Sequence, residues 1–237
     1  METNQTGKYL KYALGEIILV VIGILMALQI NNWNEDRKAL KLAKANYLNL
    51  LTSLQQDSID AQRALKANKI GMEALRKIIA MEKNEALLKL PPEELSNYLY
   101  EVSLSSRSFV PNSGIYNVLT SNNGFDLIKS DHIKSLLIKL YDYQYKDYAI
   151  VDAPIDEKYQ QQLGSIIKEK IGLVTEYSPE VSVVQHASPE LFEAHYLELA
   201  AESRDIYSIL SFNMNVLNKI QESINELLSL LRDEIRK

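Results

Sequence analysis

Ile17-Ile18-Leu19-Val20-Val21-Ile22-Gly23-Ile24-Leu25-Met26-Ala27-Leu28 contains no polar side chain. Nine of these twelve residues are Ile, Leu or Val, and at about −0.3 to −0.6 kcal/mol each they supply roughly −3 to −5 kcal/mol toward membrane insertion. Extended outward to Tyr12 and Trp33, the segment rises as a helix by roughly 31 Å, about the thickness of a bilayer core. Tyr9 and Tyr12 on one side and Trp33 on the other stand where interfacial aromatic belts form, with Lys8 and Lys11 just outside. A secretory signal peptide would be followed by a small-x-small cleavage site, whereas Gln29-Ile30-Asn31-Asn32-Trp33 follows here. The run therefore reads as an uncleaved anchor, with a signal peptide or a buried core helix as the competing readings.

Working outward, the positions Tyr47, Leu51, Leu54, Ser58, Ala61, Leu65, Asn68, Met72, Leu75 and Ile79 alternate steps of four and three, the spacing of a heptad seam. No Pro precedes Pro91, so the anchor helix is expected to run on from Gly15 to about Ile79 without a break. Pro91-Pro92-Glu93-Glu94 stops it and opens a short helix to about Leu104, with acidic residues in the first turn. Asn112 or Ser113 caps another short helix, which Asn122-Asn123-Gly124 ends. Asp131 opens a helix containing Ile133, Leu136, Leu137, Leu140 and Tyr141, which gives way to one from about Pro154 to Ile171. Val181, Val183 and Val184 suit a short strand or an extended crossover. Ser188-Pro189-Glu190 starts the last helix. Along it Tyr196, Leu199, Ser203, Ile206, Leu210, Asn213, Leu217, Ile220, Ile224, Leu227, Leu231 and Glu234 form a second seam.

Two long seams in one chain pair most economically with each other. The expected fold is all-α: an N-terminal transmembrane helix continuing into an antiparallel bundle of long helices, closed by shorter middle ones. Residues 1–34 form the tail and anchor and 35–237 the bundle. A coiled coil between chains is the competing arrangement.

Composition narrows the function. Of 237 residues 46% are hydrophobic and 24% charged, and the net charge of −5 speaks against a nucleic-acid partner. With no Cys, thiolate metal sites and cysteine nucleophiles are excluded. His195 and Glu198 are spaced to share a metal on a helix, but no complete ligand set accompanies them. Tyr141, Tyr145 and Tyr148 share a helical face, which is how a packing stripe is spaced; Tyr143 does not share it. There is no Walker loop, dinucleotide fingerprint, nucleophile elbow or His-Glu-x-x-His. No enzymatic activity and no cofactor are expected.

The candidate site residues lie in the span. Glu16 is an ionisable group beside an apolar run, and such a group must be paired, hydrated or neutralised; it lies one turn inside Tyr12, from which it can also snorkel to water. Gly23 and Ala27 form a small-xxx-small pair on the same side as Glu16, a face suited to self-association.

Lys8 to Lys38, KYLKYALGEIILVVIGILMALQINNWNEDRK, closely resembles the opening of an uncharacterised family of single-pass membrane proteins common in Bacteroidota, the domain of unknown function 6090. Phe109-Val110-Pro111, Ile115-Tyr116-Asn117-Val118-Leu119 and Gly124-Phe125-Asp126-Leu127-Ile128 are similar to that family's second recurring patch. The resemblance implies an envelope protein and carries no activity with it. The expectation is a membrane-anchored, non-enzymatic interaction, sensor or scaffold protein, partnered by the lipid bilayer and by other envelope proteins or a second copy. The alternatives are a homo-oligomeric channel or ion-coupled assembly using Glu16, and a membrane-tethered enzyme. It is placed in the bacterial inner membrane. The resemblance favours a periplasmic bundle, while Arg37, Lys38, Lys41 and Lys44 after the span, against Lys8 and Lys11 before it, would favour a cytoplasmic one.

Overall fold

The computed structural model describes residues 5–80, 89–104, 106–176 and 182–236, with side chains described for 14–80, 89–103, 106–175 and 184–236. The first helix, α1, runs unbroken over Gln5–Ala80. It contains the one stretch among the described residues that is long and apolar enough to cross a membrane, with a mean hydropathy of 2.1 over its most apolar window and none of that window buried. The side chains of Tyr9, Tyr12, Lys8 and Lys11 lie outside the described residues, whereas Trp33 is 64% exposed with the Arg37 guanidinium 5.8 Å above its ring.

Beyond Lys41 the same helix becomes a core element. Its fully inward stripe is Tyr47, Leu50, Leu54, Asp57, Ala61, Ala64, Asn68, Gly71, Leu75 and Ile78. This corrects part of the seam read from the sequence: Tyr47, Leu54, Ser58, Ala61, Asn68 and Leu75 are buried, but Leu51, Leu65, Met72 and Ile79 are only half-buried, and the inward residues there are Leu50, Ala64, Gly71 and Ile78, each one position earlier. The reason is that α1 packs on more than one flank, against α6 (Pro189–Arg236) and also against α2 (Pro92–Leu104) and α3 (Gly114–Ser121). Its buried face is thus wider than a two-helix seam.

In α6 the expected seam is buried at all positions but Glu234, which is half-buried. Ser188 caps this helix by accepting from the Leu191 N–H at 3.2 Å. The two long helices run antiparallel. Tyr196 donates to the Ile78 carbonyl at 2.9 Å and Gln221 to the Ser58 hydroxyl at 2.7 Å, so later residues of α6 meet earlier residues of α1.

The middle of the chain closes the bundle. A 3₁₀ turn (Gly124–Leu127) follows α3, with Asn123 at φ 53° making the left-handed step. Then α4 (Asp131–Ile138), a π-helical segment (Lys139–Gln144), α5 (Tyr145–Glu157) and two further π segments (Lys158–Leu163 and Ile166–Lys170) follow without a loop. The expected second helix from about Pro154 is therefore a continuation of the first. Pro154 is exposed, as is Ile150, so the helical bond the proline cannot make is lost on the solvent side.

The π segments have a sequence cause. Ile155, Tyr159, Leu163, Ile167 and Ile171 are all buried and recur every four residues. At 3.6 residues per turn such a pattern would drift by about 40° per step, and wider turns keep it on one face. A two-stranded antiparallel pair, β1 (Val174–Glu176) and β2 (Ser182–Gln185), joins this helix to α6, with Val174 opposite Gln185 and a bulge after it. Val184 lies in β2, and Val181 lies outside the described residues.

Two apolar clusters result. One, nearer the exposed apolar segment of α1, gathers Leu50, Leu54, Phe109, Leu137, Tyr148, Leu217 and Ile224. The other gathers Leu75, Ile78, Leu95, Leu99, Leu163, Phe192 and Leu210 at the far end.

Candidate functional site

At 100° per residue, Glu16, Gly23 and Ala27 fall within about 20° of one line along α1. All three are exposed, and a Cβ added at Gly23 would meet nothing within 4 Å. The structure thus brings the three candidates onto one open face, where backbone can approach backbone.

A second constellation lies inside the bundle and was not visible in the sequence. Residues 106–113 form an extended strap that crosses between α1 and α5, and a strap without a helix or strand ladder must find partners for its backbone elsewhere. They are buried side chains. The Arg107 N–H donates to Asn68 Oδ1 at 2.9 Å, the Phe109 N–H to the Tyr148 hydroxyl at 3.0 Å and the Asn112 N–H to Asp57 Oδ1 at 2.9 Å. Ser53 completes the set by donating to the Asn112 carbonyl at 3.3 Å.

The strap's Phe109, 3% exposed, is wedged edge-on between Tyr145 and Tyr148, each ring centroid 5.7 Å away. Tyr145 donates to Asp57 Oδ2 at 2.8 Å. Tyr148 donates to Asp152 Oδ1 at 2.8 Å, and Asn213 of α6 donates to the same oxygen at 3.0 Å. The strap, α1, α5 and α6 are therefore joined through one buried polar lattice.

Its electrostatics follow from burial. Loss of water pushes the Asp57 carboxyl above its ordinary value, opposed by the Asn112 N–H and the Tyr145 hydroxyl. Burial, reinforced by the nearby Asp57, pushes the Tyr145 phenol up, and burial does the same for Tyr148. Both phenols consequently stay protonated donors. With Asp57 and Tyr148 each 1% exposed, the lattice is closed to any substrate, and what it does chemically is hold the strap.

Of the tyrosines singled out from the sequence, Tyr141, Tyr145 and Tyr148 are buried, as a packing stripe requires, and Tyr143 is 63% exposed. His195 sits 3.6 Å from Glu198, which also pairs with Lys170; among the described residues no group of three or more His, Asp or Glu is placed to share a metal. Asp57 escaped the sequence reading because the seam was drawn through Ser58. A carboxylate at an inward heptad position is rarely buried without partners, and that was the available signal.

A third feature lies at the base of the bundle, where α1 leaves it for its exposed apolar segment. Leu40, Ala43, Lys44, Tyr47, Leu127, Lys129, Glu234 and Ile235 line a groove of about 420 Å³. A neighbouring lobe adds Asp36 and Asp126 and shares Leu40, Ala43, Leu127 and Lys129.

Comparison with known proteins finds one family model, described as a family of unknown function (DUF6090), matching residues 16–175. That range takes in the apolar run from Ile17 to Leu28, the strap and the tyrosine stripe, and ends before α6. No curated protein and no solved structure matches the chain.

Proposed function

The chain belongs to the family of unknown function DUF6090, and from that premise we propose that it is a membrane-tethered, non-enzymatic scaffold or sensor of the bacterial envelope. In this reading α1 crosses the inner membrane of a Bacteroidota cell once, and the bundle stands in the periplasm to engage other envelope proteins or a second copy. The observation that carries the proposal is the continuity of α1: one helix passes from a wholly exposed apolar segment into the core of the bundle. A helix built this way couples what the bundle meets to what the span meets, without an intervening hinge.

The periplasmic placement rests on the resemblance of Lys8 to Lys38, and the basic residues after the span pull toward the opposite orientation. Two measurements decide the matter. Truncation before Asn34 is expected to yield a soluble domain with unchanged helical content; membrane association of that form would rule out α1 as the single tether. Protease added to intact spheroplasts is expected to digest the bundle, whereas digestion only in inverted vesicles would place it in the cytoplasm.

A further inference from the structure

We infer that the bundle parts across a polar layer between its two apolar clusters, so that the far half opens as one unit and bares its cluster while the near half stays closed.

The layer consists of one polar residue on each of three helices, set where the buried apolar stripe passes from one cluster to the other. On α1, Asn68 stands between Ala64 of the near cluster and Leu75 of the far one. On α5, Asp152 stands between Tyr148 and Ile155, and on α6, Asn213 stands between Leu217 and Leu210. Asn68 and Asn213 are buried and Asp152 is half-buried. Direct contacts put the three at one level. Asn213 donates to Asp152 at 3.0 Å. The strap links the other two, its Arg107 N–H donating to Asn68 at 2.9 Å and its Phe109 N–H to the Tyr148 hydroxyl at 3.0 Å, which in turn donates to Asp152.

Three properties weaken this level. Apolar contact is interrupted there, and Asn68 Nδ2 and Asn213 Oδ1 are among the buried polar atoms that have no hydrogen-bond partner among the described residues; opening hydrates them. A groove of about 320 Å³ lies between α1 and α6 at the same level, and Met72, Tyr207 and Met214 line it; thioethers adapt readily to altered packing. The backbone is the third. Gly71 is the sole Gly of α1 after Gly23, Pro154 lies within α5, and Asn213, Asn215 and Asn218 follow one another along α6. Each lowers helix propensity near the layer, so helical order on one side is weakly coupled to order on the other.

The two halves are secured unequally. The near one holds the strap lattice, with Phe109 wedged between two tyrosine rings. Beyond the layer lie two of the three π segments, Lys158–Leu163 and Ile166–Lys170. Opening therefore begins in the far half and bares Leu75, Leu99, Leu163 and Phe192, a contiguous apolar patch of the kind that engages another protein. This supplies the sensor reading above with an element that changes its surface, and because it concerns the bundle alone it stands or falls apart from the tether.

The test is hydrogen exchange of the full chain in detergent micelles, read by mass spectrometry at rising sub-denaturing urea. Segments 72–80, 92–104, 155–171 and 189–210 are expected to exchange at least about tenfold faster than 47–64, 133–148 and 217–231, and to converge on one urea dependence, the mark of a cooperative unit. The step in protection should fall at Asn68, Asp152 and Asn213. Ile224→Val, in the near half, should speed exchange there about two- to twelvefold and leave the far half unchanged. Because the chain has no Cys, Ala200→Cys beyond the layer and Ala64→Cys before it each place a single thiol at a buried position. The first should react with a thiol reagent at least about tenfold faster than the second.

One urea dependence shared by both halves, far segments with unrelated dependences, a step away from the three polar residues, or equal reactivity of the two thiols would overturn the inference.

Discussion

Asp57 on α1 and Tyr145 on α5 are 88 residues apart in sequence and joined by a buried hydrogen bond of 2.8 Å. The other carboxylate oxygen holds the strap through Asn112. Asp57→Ala strands a phenol and a backbone N–H, each of which costs about 1–3 kcal/mol when left unpaired in the interior. Denaturant titration of the full chain in detergent is expected to show a loss of about 2–4 kcal/mol. Tyr145→Phe should cost less, and the double variant less than the sum, because the two side chains share one interaction. Strict additivity would mean that the bond contributes nothing.

The same carboxyl sets a pH dependence. Burial raises its pKa above the ordinary 3.8, so the folded chain keeps a proton that the unfolded chain has already released. Its contribution to stability is full below about pH 3.8 and is lost as pH rises through the higher folded value. Asp60 and Asp142 act in the opposite sense, each lowered by hydrogen bonds, from Gln56 and from Tyr116 respectively. The informative quantity is therefore the difference between wild type and Asp57→Asn. The variant should gain on wild type as pH rises from about 4 through the raised folded value, and a difference that stays constant above about pH 4 would contradict the assignment.

Phe109 fills the space between two tyrosine rings and gives the strap its only deep side chain. Phe109→Ala is expected to destabilise by about 3–5 kcal/mol. It should also increase proteolysis within residues 106–113, read by limited digestion. Loss of stability without new cleavage there would show that the polar anchors alone hold the strap.

Gly124 is buried beneath α3. A Cβ there would come within 2.9 Å of Leu119 Cδ2 and 3.3 Å of Asn46 Nδ2. Gly124→Ala is therefore expected to cost about 1–3 kcal/mol through overpacking, seen as a lowered Tm. By contrast, Gly15→Ala, where added atoms meet nothing within 4 Å, should leave the bundle's Tm unchanged.

In the span, Gly23→Leu should weaken self-association of the Lys8–Lys38 peptide in micelles by steric exclusion. Glu16→Leu should weaken it by less than about 2 kcal/mol, the most that such polar contacts in membranes supply. Equal association of all three peptides would leave Glu16 a boundary residue reaching for water.

What the sequence revealed follows the range of the forces involved. The long apolar helix, the cap at Ser188 and the seam of α6 are local patterns, and the structure has each of them where the sequence places it. Along α1 only part of the inner stripe is legible: Asp57, Ala64 and Gly71 escape because they are not large apolar residues and only partners elsewhere in the chain explain their burial, and Leu50 and Ile78 because equally apolar neighbours, Leu51 and Ile79, compete with them. The helix through Pro154 was divided because proline usually ends helices, whereas this one keeps its proline on the wet side. The strap was illegible for a plainer reason. Its hydrogen bonds run from Arg107 to Asn68 and from Asn112 to Asp57, and no local window contains both ends.

The unbroken course of α1 also sets a length. From Trp33 to Ala80 the helix rises by roughly 70 Å, and α6 runs back beside it toward the base. With α1 tethered as proposed, the far cluster around Leu75 and Phe192 would be carried at a fixed standoff from the bilayer, like the end of a strut. A protein docking at that end would be selected by its height above the membrane as well as by its surface, and inserting whole heptads into both long helices would change that height without altering either packing face.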